Sequence, residues 1–510
     1  MRNKHVLPVV LRIALYFLSC AILTASVAII RLADWFSRTF AVGIREMLFT
    51  VNSPLKGADT SFLRSALKFC DIKSLLLVQA CSLFFAFLVE TVFSKVDASM
   101  EVGTKRRKLL SINIRFLLCA VIFALAPAML FLRAVWSVDD AARISEYIRA
   151  RRNTTNIYED YYVRPDAELI KGGGRNLILI IMESMETTYA SVEAGGGQAF
   201  TNFIPELTEL AEENVNFSEN RKLGGFHDCA GFTMAALFAE SAGIPFSFPI
   251  SGNSMGTHEH FAGGTVTLGD ILSQKGYSQE FLCGSDADFA GRRQFYEQHG
   301  DYKIFDLFTA REQGYIPEDY MVWWGFEDEM LYRIARDELQ ELARRGSPFN
   351  LTMLTADTHH VGGYRCRLCK NDYPENLENV VACADRQVYD FVRWCQQQEF
   401  YEDTLIVILG DHRRMDTIMV ADVPENNRMV YDCFINPAKM SRRPVKDRNF
   451  TTLDMFPTIL SAQGFDVEGD RLGLGTDLFS DTPTYSEEWG FERFNSELQK
   501  YSEYYIDNFS

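Results

Sequence analysis

The segment from Thr404 to His412, TLIVILGDH, runs through five consecutive apolar residues and a glycine into an acid and an imidazole. An Asp beside a His offers one hard oxygen and one ring nitrogen to a divalent cation. A second segment, Asn176 to Glu183, NLILIIME, delivers an acid in the same way. Glu183, Asp411 and His412 are therefore candidate metal ligands, against the plainer alternative that acids come after buried strands because loops begin there. A hydroxyl is offered by Gly224 to Pro249, GGFHDCAGFTMAALFAESAGIPFSFP, where a Gly-rich loop enters a helical pattern near Thr233. At a helix N-terminus an oxygen faces free N–H groups and the positive end of the dipole, which suits a bound phosphate, an oxygen nucleophile or an ordinary N-cap. Phe349 to Tyr364, FNLTMLTADTHHVGGY, sets His359 and His360 beyond another apolar run, as proton-transfer groups or as a surface pair. Adjacent side chains of a strand point apart, so at most one of these two imidazoles is expected at a shared site. Finally, Arg292 and Arg293 in FLCGSDADFAGRRQFYEQHG suit bidentate grip of a phosphate, or a solvated face.

For such residues to meet, the apolar runs must be strands of one sheet that end on the same side. From Asn176 onward the pattern alternates accordingly. Helices are expected over Phe203 to Glu213, from Thr233 to Ser241, over Leu268 to Lys275, Phe326 to Arg344 and Ala384 to Gln398. Strands are expected over Gln279 to Cys283, Phe349 to Leu354 and Leu405 to Leu409, in addition to the run from Asn176. This alternation predicts an α/β fold, a mostly parallel sheet with helices on both faces, and such sheets collect ligands at the carboxyl ends of their strands.

The first quarter of the 510-residue chain reads differently. Apolar runs at about 6–30, 74–95 and 116–136 each approach the roughly 20 residues that cross a bilayer. The first is long for a signal-peptide core and is succeeded by two more, so it is read as an uncleaved anchor. Arg2, Lys4 and His5 precede the first run and Lys105, Arg106, Arg107 and Lys108 separate the second from the third, which places these segments in the cytoplasm and everything after Trp136 outside. The intervening 31–71 mixes Phe and Leu with Arg and Lys and suits short interfacial amphipathic helices. The expected organisation is a transmembrane region of about three spans over 1–138, a connector over 139–175, an extracytoplasmic domain over 176–484 and a C-terminal tail over 485–510. A net charge of −17 argues against nucleic acid as a partner. Seven of the eleven cysteines lie beyond the spans, and the cluster Cys366, Cys369 and Cys383 is read as holding one disulfide to Cys383, from Cys366 or Cys369; a zinc site lacks a fourth ligand at finger-like spacing.

Taken together, NLILIIMES, GFTMAALFAESAGIPF, DFAGRRQFYEQHG, WWGFEDEMLY, TADTHH, LIVILGDH, NFTTLDMFPTIL and RLGLGTDLFS resemble, in order and spacing, the sulfatase-like alkaline phosphatase superfamily. Within it they are similar to the lipoteichoic acid synthase and phosphoglycerol transferase I branch. The resemblance implies an alkaline-phosphatase-like extracytoplasmic domain on an inner (cytoplasmic) membrane anchor. It implies Glu183, Thr233, Asp411 and His412 around one divalent cation, Mn²⁺ by family and Mg²⁺ or Zn²⁺ by ligand type. It further implies Thr233 as nucleophile, His359 as the group serving the leaving oxygen, and Arg292 and His360 as substrate-binding residues. Phosphatidylglycerol would be the donor, and a cell-envelope glycan or polyol-phosphate chain the acceptor; the alternatives are a phosphoethanolamine transferase or a phosphatase- or sulfatase-type hydrolase of the same fold, and a catalytically silent membrane protein that binds glycan or lipid. The chain departs from the synthases at His360 and Val361, where they continue differently after a single His, and at Ala290, where they place a Trp before the substrate-binding Arg. Cys229 is not the nucleophile of a formylglycine sulfatase, because Gly231 and Thr233 stand where that motif requires Pro or Ala and Arg.

Overall fold

The computed structural model describes residues 6–40, 42–52, 61–100, 121–248 and 259–509. Its contacts divide into two units, one of residues 1–44 with 60–146, the other of 45–59 with 147–510.

In the first unit the apolar runs form helices α1 (Val6–Thr39), α3 (Ser61–Cys70), α4 (Ile72–Met100) and α5 (Ala126–Ala142), while α2 (Ile44–Asn52) belongs almost wholly to the second. Three stretches, Ile13–Thr39, Arg64–Val92 and Ile122–Ala142, are long and apolar enough to cross a membrane. Their polar groups pair with one another: the Tyr16 hydroxyl donates to Glu90 at 2.8 Å and Thr24 to Gln79 at 2.6 Å. Leu76, Leu77, Phe84 and Phe87 remain exposed, as they do on a helix whose solvent is lipid. The chain is thus a membrane protein by its three apolar helices. The segment 31–71 holds the end of α1 together with α2 and α3, and most of α3 falls within the stretch Arg64–Val92, whereas the basic segments used to orient the spans, and residues 116–120 of the third run, lie outside the described residues.

The second unit is built on a seven-stranded sheet. In chain order its strands are β1 (Asn176–Met182), β2 (Gly225–Phe226), β3 (Ser278–Cys283), β4 (Lys303–Phe305), β5 (Phe349–Leu354), β6 (Thr404–Gly410) and β7 (Val430–Ile435). Their spatial order is β2-β7-β6-β1-β5-β3-β4. The five strands from β6 to β4 are parallel, and β7 and β2 close one edge antiparallel. Strand β6 is buried along its whole length and β1 everywhere but Asn176, which explains their unbroken Leu, Ile and Val content. Ile178, Ile180, Met182, Ile406 and Ile408 face a core completed by Leu331, Ile334 and Leu339 of α9 (Asp328–Arg345) and by Val381, Val388 and Phe391 of α10 (Asn376–Cys395). Each fully buried aliphatic side chain contributes about 1.5–3 kcal/mol. The alternate residues Leu177, Ile181, Leu405 and Leu409 are buried on the other face. In the chain, α6 (Pro205–Glu213), α7 (Thr233–Ala242) and α8 (Leu268–Gln274) lie between β1 and β3.

Two differences from the sequence pattern have clear causes. Helix α10 begins at Asn376, earlier than expected, because Glu375 and Glu378 form a reciprocal capping box without a Ser or Thr to announce it. Strand β7 is not evident from the sequence: Asp432 interrupts its apolar run, and its carboxylate is absorbed by the backbone N–H of Phe217 at 2.9 Å. The C-terminal stretch forms Tyr485–Trp489, Phe491–Leu498 and Glu503–Phe509, held by buried Phe494, Tyr505 and Phe509 and by the Tyr505 hydroxyl on the Pro245 carbonyl at 2.7 Å.

Candidate active site

Parallel register sets Met182 of β1 beside Gly410 of β6 and Ile181 beside Leu354 of β5. The residues just beyond these three neighbouring strands, Glu183, Asp411 and Thr355, therefore emerge together at one sheet edge. Two local features turn them inward. Ser184 takes a left-handed conformation, φ 52°, unusual for a non-glycine and common where structure serves a site. Its N–H donates to Asp411 Oδ1 at 2.7 Å and its hydroxyl to Glu183 Oε1 at 2.7 Å. Gly410 allows the crossing, since a Cβ there would lie 2.1 Å from the Met185 carbonyl oxygen.

Helix α7 brings the hydroxyl. Its N-cap is Phe232, whose side chain caps nothing, and Thr233 is the first helical residue. The capping alternative for Thr233 is thereby removed. Its Oγ1 instead donates to Glu183 Oε2 at 3.1 Å and lies 3.3 Å from His412 Nε2, at the positive end of a ten-residue helix. The loop before it is tied down by buried Asp228, which accepts from the N–H groups of Ala230, Gly231 and Arg413 at 2.7, 3.0 and 3.0 Å. Cys229 in that loop is buried, and burial together with Asp228 and Asp454 pushes its thiol far up, so it offers no thiolate.

The cluster has the character of a cation site. Ligand atoms of Glu183, Asp411 and His412 all lie within 4.8 Å of one another. His412 Nδ1 stands 2.8 Å from the Arg413 carbonyl and so carries the donated hydrogen, which turns Nε2 toward Asp411 Oδ2 at 3.2 Å and Glu183 Oε1 at 3.8 Å as the atom that would ligate once deprotonated. Asp411 Oδ2 is buried and has no hydrogen-bond donor. Burial and the Glu183 carboxylate push Asp411 up to about 8, while Asp411, Glu183 and Asp228 outweigh burial and lift His412 to about 9. Burial opposes ionisation of Glu183 as well, but His359, His412 and the Ser184 and Thr233 hydroxyls hold it below the ordinary range. Two carboxylates and one imidazole so arranged are short of positive charge, and a divalent cation fits the donor set.

His359 reaches the site from the loop after β5, where the Thr358 hydroxyl donates to the Glu183 carbonyl at 2.5 Å. Its Nδ1 is 2.6 Å from the His360 carbonyl, and burial keeps the imidazole neutral despite the pull of Glu183. The expectation that His359 and His360 point apart fails. Strand β5 ends at Leu354, the pair lies in a turn, and the two rings stack with centroids 4.2 Å apart. Burial and His359 hold His360 neutral as well.

Arg292, expected to grip phosphate, is held within its own loop through Nε and Nη2. It is buried, and its guanidinium donates to Ser285 Oγ and to the carbonyls of Asp286 and Phe289 at 3.0, 2.8 and 3.1 Å, so it ties its own loop. Arg414, a surface charge by residue type, is also buried: it donates to Asp416 Oδ1 at 2.6 Å and to the Thr358 carbonyl at 2.7 Å, fixing the residue before His359. Sequence reasoning missed Asp228, Glu186 and Trp324. Glu186 accepts from the Arg414 N–H at 2.6 Å and pairs with Arg428, and the Trp324 ring lies 4.7 Å from that of His359. Only the pair WW in WWGFEDEMLY gave any signal.

Among known families, the one described as Sulfatase matches residues 175–465. Phosphoglycerol transferase I of Escherichia coli (strain SMS-3-5 / SECEC) is 30% identical over 368 residues, 70% of this chain and 46% of that one, and the Shigella flexneri protein of the same name gives the same figures. The chain spans about half the length of these curated relatives. Among solved structures, an alkaline phosphatase superfamily protein from Vibrio parahaemolyticus is 20% identical with TM-score 0.49, covering 64% of this chain and 77% of that one. A lipoteichoic acid synthase from Listeria monocytogenes is 19% identical with TM-score 0.47, covering 64% and 80%.

Proposed function

This chain belongs to the sulfatase family, and we propose that within it the chain is a membrane-anchored phosphoglycerol transferase that works through a covalent phosphothreonine at Thr233. The observation that carries this reading is the Thr233 hydroxyl, which caps no helix and is aimed at Glu183 and His412. The names of its relatives support the group transferred. Phosphatidylglycerol is the donor and an envelope glycan or polyol-phosphate hydroxyl the acceptor. The domain begins near 176, after the connector over 139–175, and the basic segments before and between the spans put it on the outer side of the bacterial inner membrane.

Glu183, Asp411 and His412, with the Thr233 oxygen, would hold the cation. When bound, a divalent ion such as Mn²⁺ neutralises phosphate charge and lowers the pKa of a coordinated hydroxyl. The chain's own residues do the rest. Thr233 Oγ attacks the phosphorus of the donor diester, so the Oγ–P bond forms and the bond from phosphorus to the diacylglycerol oxygen breaks. The hydroxyl proton leaves along its existing hydrogen bond to Glu183. His359, neutral in the free protein, gains a proton as the anionic diester arrives beside it, because a negative charge raises an imidazole's pKa. It gives that proton to the departing oxygen. In the second step an acceptor hydroxyl attacks the phosphothreonine, passes its proton to His359, and Thr233 recovers its own. The three apolar helices keep the enzyme where the donor lies and leave diacylglycerol in the bilayer.

The test is mass spectrometry of the full-length protein after incubation with phosphatidylglycerol. A Thr233 peptide heavier by one phosphoglycerol supports nucleophile and donor together. An adduct formed only from another phospholipid would reassign the head group, and an adduct on another residue would end the Thr233 mechanism.

A further inference from the structure

Outside the active site, Cys366, Cys369 and Cys383 gather their sulfurs at one point. Cys366 Sγ lies 3.7 Å from Cys369 Sγ and 3.7 Å from Cys383 Sγ, and all three fall within 4.8 Å of one another. The expected disulfide to Cys383 is replaced by three free thiols. The spacing has a chemical meaning. Thiolates about 2.3 Å from a tetrahedral Zn²⁺ stand about 3.8 Å apart, whereas a disulfide requires about 2.05 Å and uses only two sulfurs. A second observation concerns Gln387, one turn along α10 from Cys383. Its Nε2 is directed at Cys383 Sγ at 3.5 Å and at Cys366 Sγ at 3.9 Å, while its Oε1 is buried with no hydrogen-bond donor, and the residue is 8% exposed. An amide N–H shared by two sulfurs is an outer-shell contact of the sort that supports ligating thiolates. A cavity of ≈ 350 Å³ nearby is lined in part by Arg367 and Leu368, between the first two cysteines in the chain, and by Gln387.

We propose that Cys366, Cys369 and Cys383 form a second metal site, specific for a thiophilic cation of the Zn²⁺ type, separate from the oxygen-rich site at Glu183. Zn²⁺ enters as three thiols each release a proton, and three protein ligands leave the fourth position to water. The cation pins the loop that carries His359 to α10: the chain runs seven residues from His359 to Cys366, held on the way by the Gly363 N–H on the His359 carbonyl at 3.1 Å and the Tyr364 N–H on the Asp357 carbonyl at 2.7 Å. Nothing here depends on the reaction proposed for Thr233.

The test uses the full chain in detergent, purified without added reductant. Cd²⁺ added to the metal-stripped protein should produce an ultraviolet thiolate-to-metal absorption that saturates at one equivalent and protects three thiols from alkylation. Cys383→Ser and Cys369→Ser, each of which leaves two of the three thiolates, should each reduce it by at least about a third. If the serine variants do not fold, titration and thiol counting on the unsubstituted chain decide alone. Absence of the band, or a peptide in which Cys383 is covalently linked to Cys366 or Cys369, would overturn the proposal.

Discussion

Replacing Thr233 by Ala separates nucleophile from scaffold, because the two roles have very different magnitudes here. The side chain makes one hydrogen bond of structural consequence, to Glu183 Oε2 at 3.1 Å. Loss of a hydrogen bond to a charged group costs about 1.5–3 kcal/mol, but Glu183 keeps the Ser184 hydroxyl at 2.7 Å, and Ala exceeds Thr in helix propensity by up to about 0.7 kcal/mol. Thr233 is not the N-cap, so no capping loss is added. The net change in stability should stay within about 1–2 kcal/mol, a shift of a few degrees in Tm. Loss of the attacking oxygen should instead lower turnover by at least about 10⁴-fold, equivalent to about 5.4 kcal/mol of barrier. Thr233→Ser restores an oxygen and should recover turnover to within about 100-fold of the parent. The assay is release of labelled diacylglycerol from phosphatidylglycerol in mixed micelles, with thermal unfolding in parallel. An Ala variant that releases diacylglycerol within about tenfold of the parent rate would refute the covalent mechanism and leave direct attack by the acceptor.

The same geometry sets three other outcomes. Asp411→Asn should abolish stoichiometric metal binding at the Glu183 site yet leave the metal-free protein about as stable below pH 8 and more so above it, since an amide oxygen still accepts from the Ser184 and His412 N–H groups and only the ionised Asp411 sets a like charge beside Glu183; elemental analysis and metal-free melting check both halves. Metal affinity should rise with pH up to about 9: Asp411 and His412 hold protons up to about 8 and about 9 in the free site, binding must displace them, and calorimetry in buffers of different ionisation enthalpy should detect their release. Glu240 on α7 is buried, neither of its oxygens has a donor, and burial together with Asp411 and Asp228 raises its pKa well above the ordinary value. The unfolded chain ionises this group near the ordinary 4.5 while the folded one keeps it protonated, so it subtracts stability as pH rises above that point. Glu240→Gln should flatten the decline, and an unchanged denaturation profile from pH 5 to 9 would show that Glu240 is solvated.

Much of this protein could be read from residue order, because the physics behind it is local. Uninterrupted runs such as NLILIIM and LIVILG can be satisfied only by burial on both faces, and the residue after each run must emerge at a sheet edge; Glu183, Asp411 and His412 were legible for that reason. The three apolar helices were legible from length and hydropathy alone. Where the outcome depended on which groups a fold brings within a few ångströms, residue types were insufficient. Thr233 by residue type is an ordinary N-cap, and only the fold gives that position to Phe232. His359 and His360 would diverge in a strand, yet they stack because the strand had already ended. Arg292 carries the charge for a phosphate, and only the tertiary structure shows that its Nε and Nη2 are tied to the oxygens of its own loop. Asp228 and Glu186 resemble any other loop acids until buried, where a carboxylate must find donors and, in finding them, fixes the loops around the site. The three cysteines read as one disulfide from the sequence, whereas the Cys366 sulfur stands 3.7 Å from each of the other two, a spacing nearer to a coordination edge than to a bond.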